Sequence, residues 1–296
     1  MARSDALDRA EDVYRNGFPD AENATVEILR EQYDAMLLQF PLPEGTTVTG
    51  IDAGGVPALE VRAAGAVSGK VLVWFHGGGY VLGSARGFTG LAAAFSAALG
   101  FPVILPDYRL APENKFPAAA LDGAAVLRWA VATYGPGATV VGGDSGGGGL
   151  TFAALAMLVA GGEPVPAAAM AISPLVDFTA ESGTIDSNAA FDVAVSRGSI
   201  GNLRAAYLQG DDPRDPVASP LFGALGGLPP VHVVVGSTEV LLDDARSLVD
   251  GITTAGGTAD LTVYDDMCHV WPLFASFLPE GQAAVEQLAG FAHKYL

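Results

Sequence analysis

The stretch VVGGDSGGGGLTFAALAML, residues 140–158, decides how the rest of the chain is read. A short apolar run ends in glycines, an Asp-Ser pair interrupts them, and a long Ala- and Leu-rich stretch of helical character follows. Gly143, Asp144, Ser145, Gly146 and Gly147 fit the pattern GxSxG, in which a serine sits on a sharp strand-to-helix turn. Glycines two before and two after the serine let neighbouring elements approach closely enough to leave its hydroxyl exposed. The helix start brings unpaired amides, which favour developing negative charge. A glycine-rich turn of this kind also binds dinucleotides. That fingerprint, however, belongs to the first strand-helix unit, and two strand-helix units precede this one.

On both sides of this stretch, short apolar runs alternate with longer helical patterns, as in a parallel sheet covered by helices. Strands are expected at 58–63, 70–75, 101–106, 138–143, 167–174, 231–236 and 259–264, several of them apolar on both faces as buried parallel strands are. Helices are expected at 87–99, 117–134, 146–160, 239–255 and 280–295. The fold class is doubly wound α/β, a mostly parallel central sheet flanked by helices. Two segments break the alternation. Residues 1–45 hold a helical pattern at 24–38 and no strand, and residues 178–225 interrupt two strands with one further helix around RGSIGNLRAAYLQG. Insertions of that length in a compact domain are functional or form a small subdomain. A cap built from 1–45 and 178–225 is therefore expected over a core of 46–177 and 226–296.

Composition narrows the function classes. The 296 residues carry 33 Asp and Glu against 15 Lys and Arg, a formal charge of -18, which repels phosphate backbones and anionic headgroups. Nucleic acid and membrane partners are not expected. A single cysteine, Cys268, excludes an intrachain disulfide or a thiolate metal cluster. The first residues are polar where a signal peptide has its apolar region, and no apolar run reaches the roughly 20 residues of a membrane span. A cytoplasmic location is the expectation.

A serine nucleophile needs a base, and there are four histidines. His76 precedes a glycine run, His232 lies in a strand and His293 in the last helix. Only His269, in DDMCHVWPLF after the last strand, satisfies the chain order serine, acid, histidine that accompanies the serine turn. The acid belongs after the preceding strand VHVVVG. Glu239 comes three residues past that strand and is preferred; Asp243, a turn into the helix, is the alternative. The acid would fix the imidazole tautomer and stabilise imidazolium.

The chain resembles the hormone-sensitive-lipase family of α/β hydrolases through HGGGY (76–80), DYRLAPE (107–113), GDSGGG (143–148), SPLVD (173–177) and GLPPVHVVVG (227–236). These landmarks occur in the family's order and span roughly 45–296. The resemblance implies an α/β-hydrolase fold with a helical cap. It implies an oxyanion hole formed by the amides of Gly78, Gly79 and Gly146, with His76 positioning the loop. That accounts for the triple glycine: side chains there would keep a carbonyl oxygen from the backbone, so each glycine's cost of about 0.5–1 kcal/mol is tolerated. It also implies a carboxylic ester hydrolase for short- to medium-chain acyl esters, with no cofactor or metal, and raises a homodimer through a sheet edge.

Around the acid the family pattern Asp-Pro-Leu-x-Asp is replaced by Glu239-Val240-Leu241-Leu242-Asp243, so glutamate stands for aspartate and the proline is lost. Tyr80, Val81, Phe88 and Trp271 are candidates for the pocket or the core. Asp107, Tyr108, Arg109 and Glu113 read as a buried polar knot behind the glycine loop, Asp144 as a local hydrogen-bond partner or elbow residue, and Cys268 as a packing neighbour of His269. The same triad would serve an amidase or peptidase, and a ligand receptor on a hydrolase scaffold is the remaining alternative, although receptors of that kind usually lose the serine or histidine.

Overall fold

The computed structural model describes residues 4–17 and 24–296; residues 1–3 and 18–23, part of the expected 1–45 segment, lie outside the described residues. Eight strands form one sheet: β1 (Thr47–Asp52), β2 (Pro57–Arg62), β3 (Val71–Phe75), β4 (Val103–Pro106), β5 (Thr139–Asp144), β6 (Ala168–Ile172), β7 (Val231–Gly236) and β8 (Ala259–Tyr264). Their order is β1-β2-β4-β3-β5-β6-β7-β8. β1 and β2 pair antiparallel, as do β2 and β4, and every pairing from β4 to β8 is parallel.

Alternation along each strand divides the core. Val71, Val73 and Phe75 of β3, Val141 of β5 and Val231, Val233 and Val235 of β7 face one side. Leu72 and Trp74 of β3, Val140 of β5 and Val234 of β7 face the other. The first side is covered by α4 (Ala118–Tyr134), α5 (Ser145–Ala160) and α8 (Leu242–Thr254), the second by α3 (Thr89–Leu99) and α9 (Pro279–His293). Before the sheet come α1 (Asp5–Gly17) and α2 (Val26–Leu38), and between β6 and β7 lie α6 (Thr184–Ser187) and α7 (Arg197–Leu208).

The seven strands and five core helices expected from periodicity are present, with ends moved by a few residues. β1 and α1 were not anticipated. β1 is an edge strand whose residues are exposed except one, so no inward-outward alternation marks it. α1 is strongly polar and buries only Leu7, Ala10, Glu11 and Tyr14. Among the described residues, no helix is long and apolar enough to cross a membrane.

The chain runs from β3 to β4 on one side and to β5 on the other, so the strand order reverses between β3 and β5. The carboxyl ends of strands at such a reversal form a crevice. Phe75 pairs with Gly143 at that end, and the loop after β3 and the Ser145 turn after β5 emerge side by side.

Candidate active site

From residue 139 to 155 every residue is buried except Ser145. The serine holds a left-handed backbone, φ 52°, at the first position of α5. The glycines around it are required by contact. A Cβ on Gly143 would lie 2.2 Å from the Gly147 carbonyl oxygen, and one on Gly147 would lie 2.0 Å from the Phe75 oxygen and 2.4 Å from that of His76. One residue earlier in β5, a Cβ on Gly142 would meet the Trp74 ring at 2.6 Å; its absence leaves room for the indole, whose Nε1 donates to Asp144 Oδ1 at 2.9 Å.

These contacts predict a sharp contrast. Gly147→Ala is expected to destabilise the fold by about 3 kcal/mol or more, because both obstructing atoms are backbone and cannot swing aside. Gly290→Ala, on exposed α9 surface with nothing within 4 Å of its new Cβ, is expected to stabilise by about 0.5–1 kcal/mol through helix propensity. Paired urea melts check both signs.

The loop after β3 closes on this turn. Gly78 and Gly79 have φ 114° and 60°. A Cβ on Gly146 would lie 2.8 Å from Gly79 Cα and 2.9 Å from Gly79 N, so the main chain of the residue after Ser145 rests directly against that of Gly79. His76 sits beneath, stacked on Tyr108 with centroids 4.4 Å apart. Burial pushes its imidazole down to about 4, so it is uncharged at neutral pH. Arg30 of α2 fastens the loop from outside: Nε donates to the Val81 carbonyl and one terminal nitrogen to that of Ala111, each at 2.8 Å, and the guanidinium grips Glu113 with two further bonds. Asp34, one turn on, accepts from Ser84 Oγ at 2.7 Å.

Glu239 and His269 meet. His269 Nδ1 lies 2.7 Å from Glu239 Oε2, both side chains being buried. An ionised carboxylate can only accept, so Nδ1 carries the proton and Nε2 is the free base position. Glu239 Oε1 accepts from the Gly236 amide at 2.6 Å and from Ser173 Oγ at 2.7 Å. The extra methylene of glutamate is accommodated by this curl back onto its own loop. Asp243 points elsewhere, accepting from the Thr184 amide at 3.1 Å and pairing with Arg246 at 3.0 Å.

Burial pushes the Glu239 carboxyl up, against the pull of the His269 hydrogen bond and charge. For His269, burial alone would push the imidazole down; its bond to Glu239 and the charges of Glu239, Asp192 and Asp144 outweigh it and raise it above the ordinary 6.5. Burial also lifts Asp144 to about 7 and raises the Cys268 thiol well above its usual range, so Cys268 is an inert neighbour.

Ser145, His269, Gly78 and Gly79 line one cavity of about 360 Å³, near the lower end of volumes that hold small molecules. Its apolar wall comes from Tyr14 of α1, Leu29 and Tyr33 of α2, Leu175 after β6, and Ile200 and Leu203 of α7. Tyr80, Val81, Phe88 and Trp271 do not line it. Tyr80, φ 66°, turns away to stack on Tyr207 at 4.2 Å; Phe88 lies between His76 and Tyr33; Trp271 packs on Tyr264; and Val81 is in the core, with its carbonyl held by Arg30. The expected buried knot is also corrected. Only Tyr108 is buried, donating to the His76 carbonyl at 2.7 Å. Asp107, Arg109 and Glu113 are exposed and tie separate elements: Asp107 accepts from the Ala85 amide, Arg109 pairs with Asp122, and Glu113 with Arg30.

Besides the cavity wall, two residues that support the site went unread in the sequence. Ser173 bridges the Glu239 and His269 loops, since Oγ donates to Glu239 and accepts from the Val270 amide at 3.2 Å. SPLVD marks its position, but nothing local says that its hydroxyl faces Glu239. Arg30 has no local signal at all. Among the described residues, no group of three or more His, Cys, Asp or Glu side chains gathers as a metal site.

The family model described as alpha/beta hydrolase fold matches residues 72–273. An acetyl-hydrolase of Streptomyces hygroscopicus is 38% identical over 273 residues, covering 91% of this chain and 90% of its own. An esterase from the bacterial hormone-sensitive lipase family has a crystal structure that superposes with a TM-score of 0.96 at 42% identity, covering 100% of this chain and 99% of that one. EstE5, in a crystal soaked with p-nitrophenyl butyrate, superposes with a TM-score of 0.93 at 35% identity and 99% coverage of both chains.

Proposed function

We propose, from the premise that this chain belongs to the alpha/beta hydrolases and is an esterase of the hormone-sensitive-lipase family, that it cleaves short- to medium-chain acyl esters through an acyl-enzyme on Ser145. The observation that carries this reading is the buried His269–Glu239 pair, at 2.7 Å, on a cavity shared with Ser145 and the glycine loop.

Ser145 Oγ attacks the ester carbonyl carbon while His269 Nε2 takes its proton, and the carbonyl π electrons move to oxygen. The amides of Gly78, Gly79 and Gly146 hold that oxyanion; losing one such donor typically costs about 100- to 1,000-fold in rate. As the tetrahedral centre collapses, the C–O bond to the alcohol breaks and His269 returns the proton to it. Water, deprotonated by the same imidazole, then attacks the acyl-serine; collapse of the second tetrahedral centre releases the acid and restores the serine hydroxyl. Glu239 stays ionised and holds the imidazolium in place. The described parts of residues 1–45, with residues 178–225, serve in this reading as a cap, a role supported by the residues of α1, α2 and α7 in the cavity wall. The short-acyl preference rests on the small cavity, the acetyl-hydrolase relative and the p-nitrophenyl butyrate soak of EstE5.

The test is a series of p-nitrophenyl acyl esters from acetate to laurate against matched anilides. kcat/KM is expected to peak at the short end and to fall for long chains, with anilides far slower. A maximum at laurate contradicts the acyl preference, and anilides cleaved as fast as esters contradict the ester assignment.

The pH dependence has a definite sign. His269 must be neutral to accept the serine proton, and its pKa lies above 6.5. Activity is therefore lost as pH falls through a value above 6.5. Initial kcat/KM values across the neutral range, read at the isosbestic wavelength of nitrophenol, are expected to give an acidic limb with its midpoint there. A limb centred near the ordinary carboxylate range of about 4 contradicts a histidine base.

A further inference from the structure

Residues 188–195, between α6 and α7, are stapled to the loop that carries Glu239. Asn188 Nδ2 donates to the carbonyls of Ser237 at 3.0 Å and Glu239 at 2.8 Å. Asp192 Oδ1 accepts from the amides of Ala194 and Val195, both at 2.9 Å. An aspartate that only shaped its own turn would stop there. The second oxygen of Asp192 reaches across the sequence to the Val240 amide, also at 2.9 Å. It thus binds the peptide that follows Glu239, while Ala194 and Val195 belong to the cavity wall. A half-buried carboxylate joins substrate-facing backbone to the acid that holds His269.

We propose that Asp192 is a positioning residue for proton transfer: it fixes the Glu239 loop through Val240 and places a negative charge beside the Glu239–His269 pair, favouring the pair's protonated form. The inference rests on the reading of His269 as the base. Other groups face the pair as well. Glu239 comes from the loop after β7 and Asp144 from the end of β5, and both act on His269 as Asp192 does. The Tyr14 phenol of α1 and the Cys268 thiol lie nearby and feel Glu239. Among the described residues, none of the neighbours named here is cationic. The Asp192 charge acts in one direction on both members, disfavouring ionised Glu239 and favouring imidazolium. Because the two titrate as a coupled unit, removing that charge moves the shared acidic limb to lower pH.

The experiment compares kcat/KM against pH on p-nitrophenyl acetate for the wild-type chain, D192N, D192E and N188A, with circular dichroism as the check on folding. D192N is expected to move the acidic limb down by about half a pH unit, less than a charge in direct contact would cause because Asp192 is partly solvated and one peptide removed. D192E keeps the charge and is expected to keep the limb. N188A removes two hydrogen bonds and no charge, so its plateau falls while its limb stays. If D192N does not fold, D192S, which retains a short acceptor without the charge, takes its place with the same expectation. Limbs of D192N and wild type that coincide overturn the inference, and so does an equal displacement in N188A. Failure of the underlying reading looks different: Ser145→Ala would remain active, or the wild-type limb would not be that of a histidine.

Discussion

Ser145→Ala is expected to lower kcat for ester hydrolysis by about 10,000-fold or more, with little change in KM. Removing the Oγ leaves the cavity, the amide row and the His269–Glu239 pair in place, so substrate binding survives while the acyl-enzyme cannot form. The residual rate reflects binding and oxyanion stabilisation of attack by water, a remainder that persists when serine-triad members are deleted. The Cβ of alanine is already present in serine, so the fold at φ 52° is strained no further and the melting temperature is expected to hold. Initial rates with enzyme purified free of host esterases check this. Retention of more than about a tenth of wild-type kcat would remove Ser145 from the chemistry.

Glu239→Gln is the second large effect, an expected fall in kcat of about 1,000- to 10,000-fold. Three donors converge on this carboxylate: the Nδ1–H of His269, the Gly236 amide and the Ser173 hydroxyl. A carboxamide has one acceptor oxygen and adds an NH₂ group, which must oppose at least one of those donors. The arrangement relaxes most easily by moving the His269 proton to Nε2, which removes the base, and the imidazolium formed during attack loses its counter-charge. Asp243→Asn is expected to leave kcat near wild type, since Asp243 faces Thr184 and Arg246. Measuring both variants on one short ester checks the assignment; a collapse confined to Asp243→Asn would reverse it.

How much of this was legible in the sequence follows from the range of the interactions involved. The parallel strands and Ser145 were readable because buried strands are apolar on both faces and the serine turn has a fixed glycine spacing. The order serine, acid, histidine singled out His269 among four histidines. The choice between Glu239 and Asp243 stayed open, since both follow β7 closely and local pattern does not say which carboxylate turns inward. In space the donors of Gly236 and Ser173 turn the Glu239 carboxylate toward His269, which supports Glu239 as the acid. The cavity wall was not legible: Tyr14, Tyr33 and Leu203 come from segments distant in sequence, whereas Tyr80 and Phe88, next to the glycine loop, were drawn into the core by ring contacts with Tyr207 and His76. The knot at 107–113 was misread because alternating residues leave the strand end in opposite directions, burying Tyr108 and exposing its neighbours. β1 escaped notice because an exposed edge strand carries no apolar period.

Covalent capture shows whether Ser145 is a nucleophile activated by His269 within this cavity. The wild-type protein would be treated with a fluorophosphonate, digested, and the modified peptide sequenced by mass spectrometry, with His269→Ala treated in parallel. One adduct, on the Ser145 hydroxyl, forming far more slowly in the His269 variant, is the predicted result. An adduct at another residue, or an enzyme that still hydrolyses esters while Ser145 remains unmodified, would contradict it.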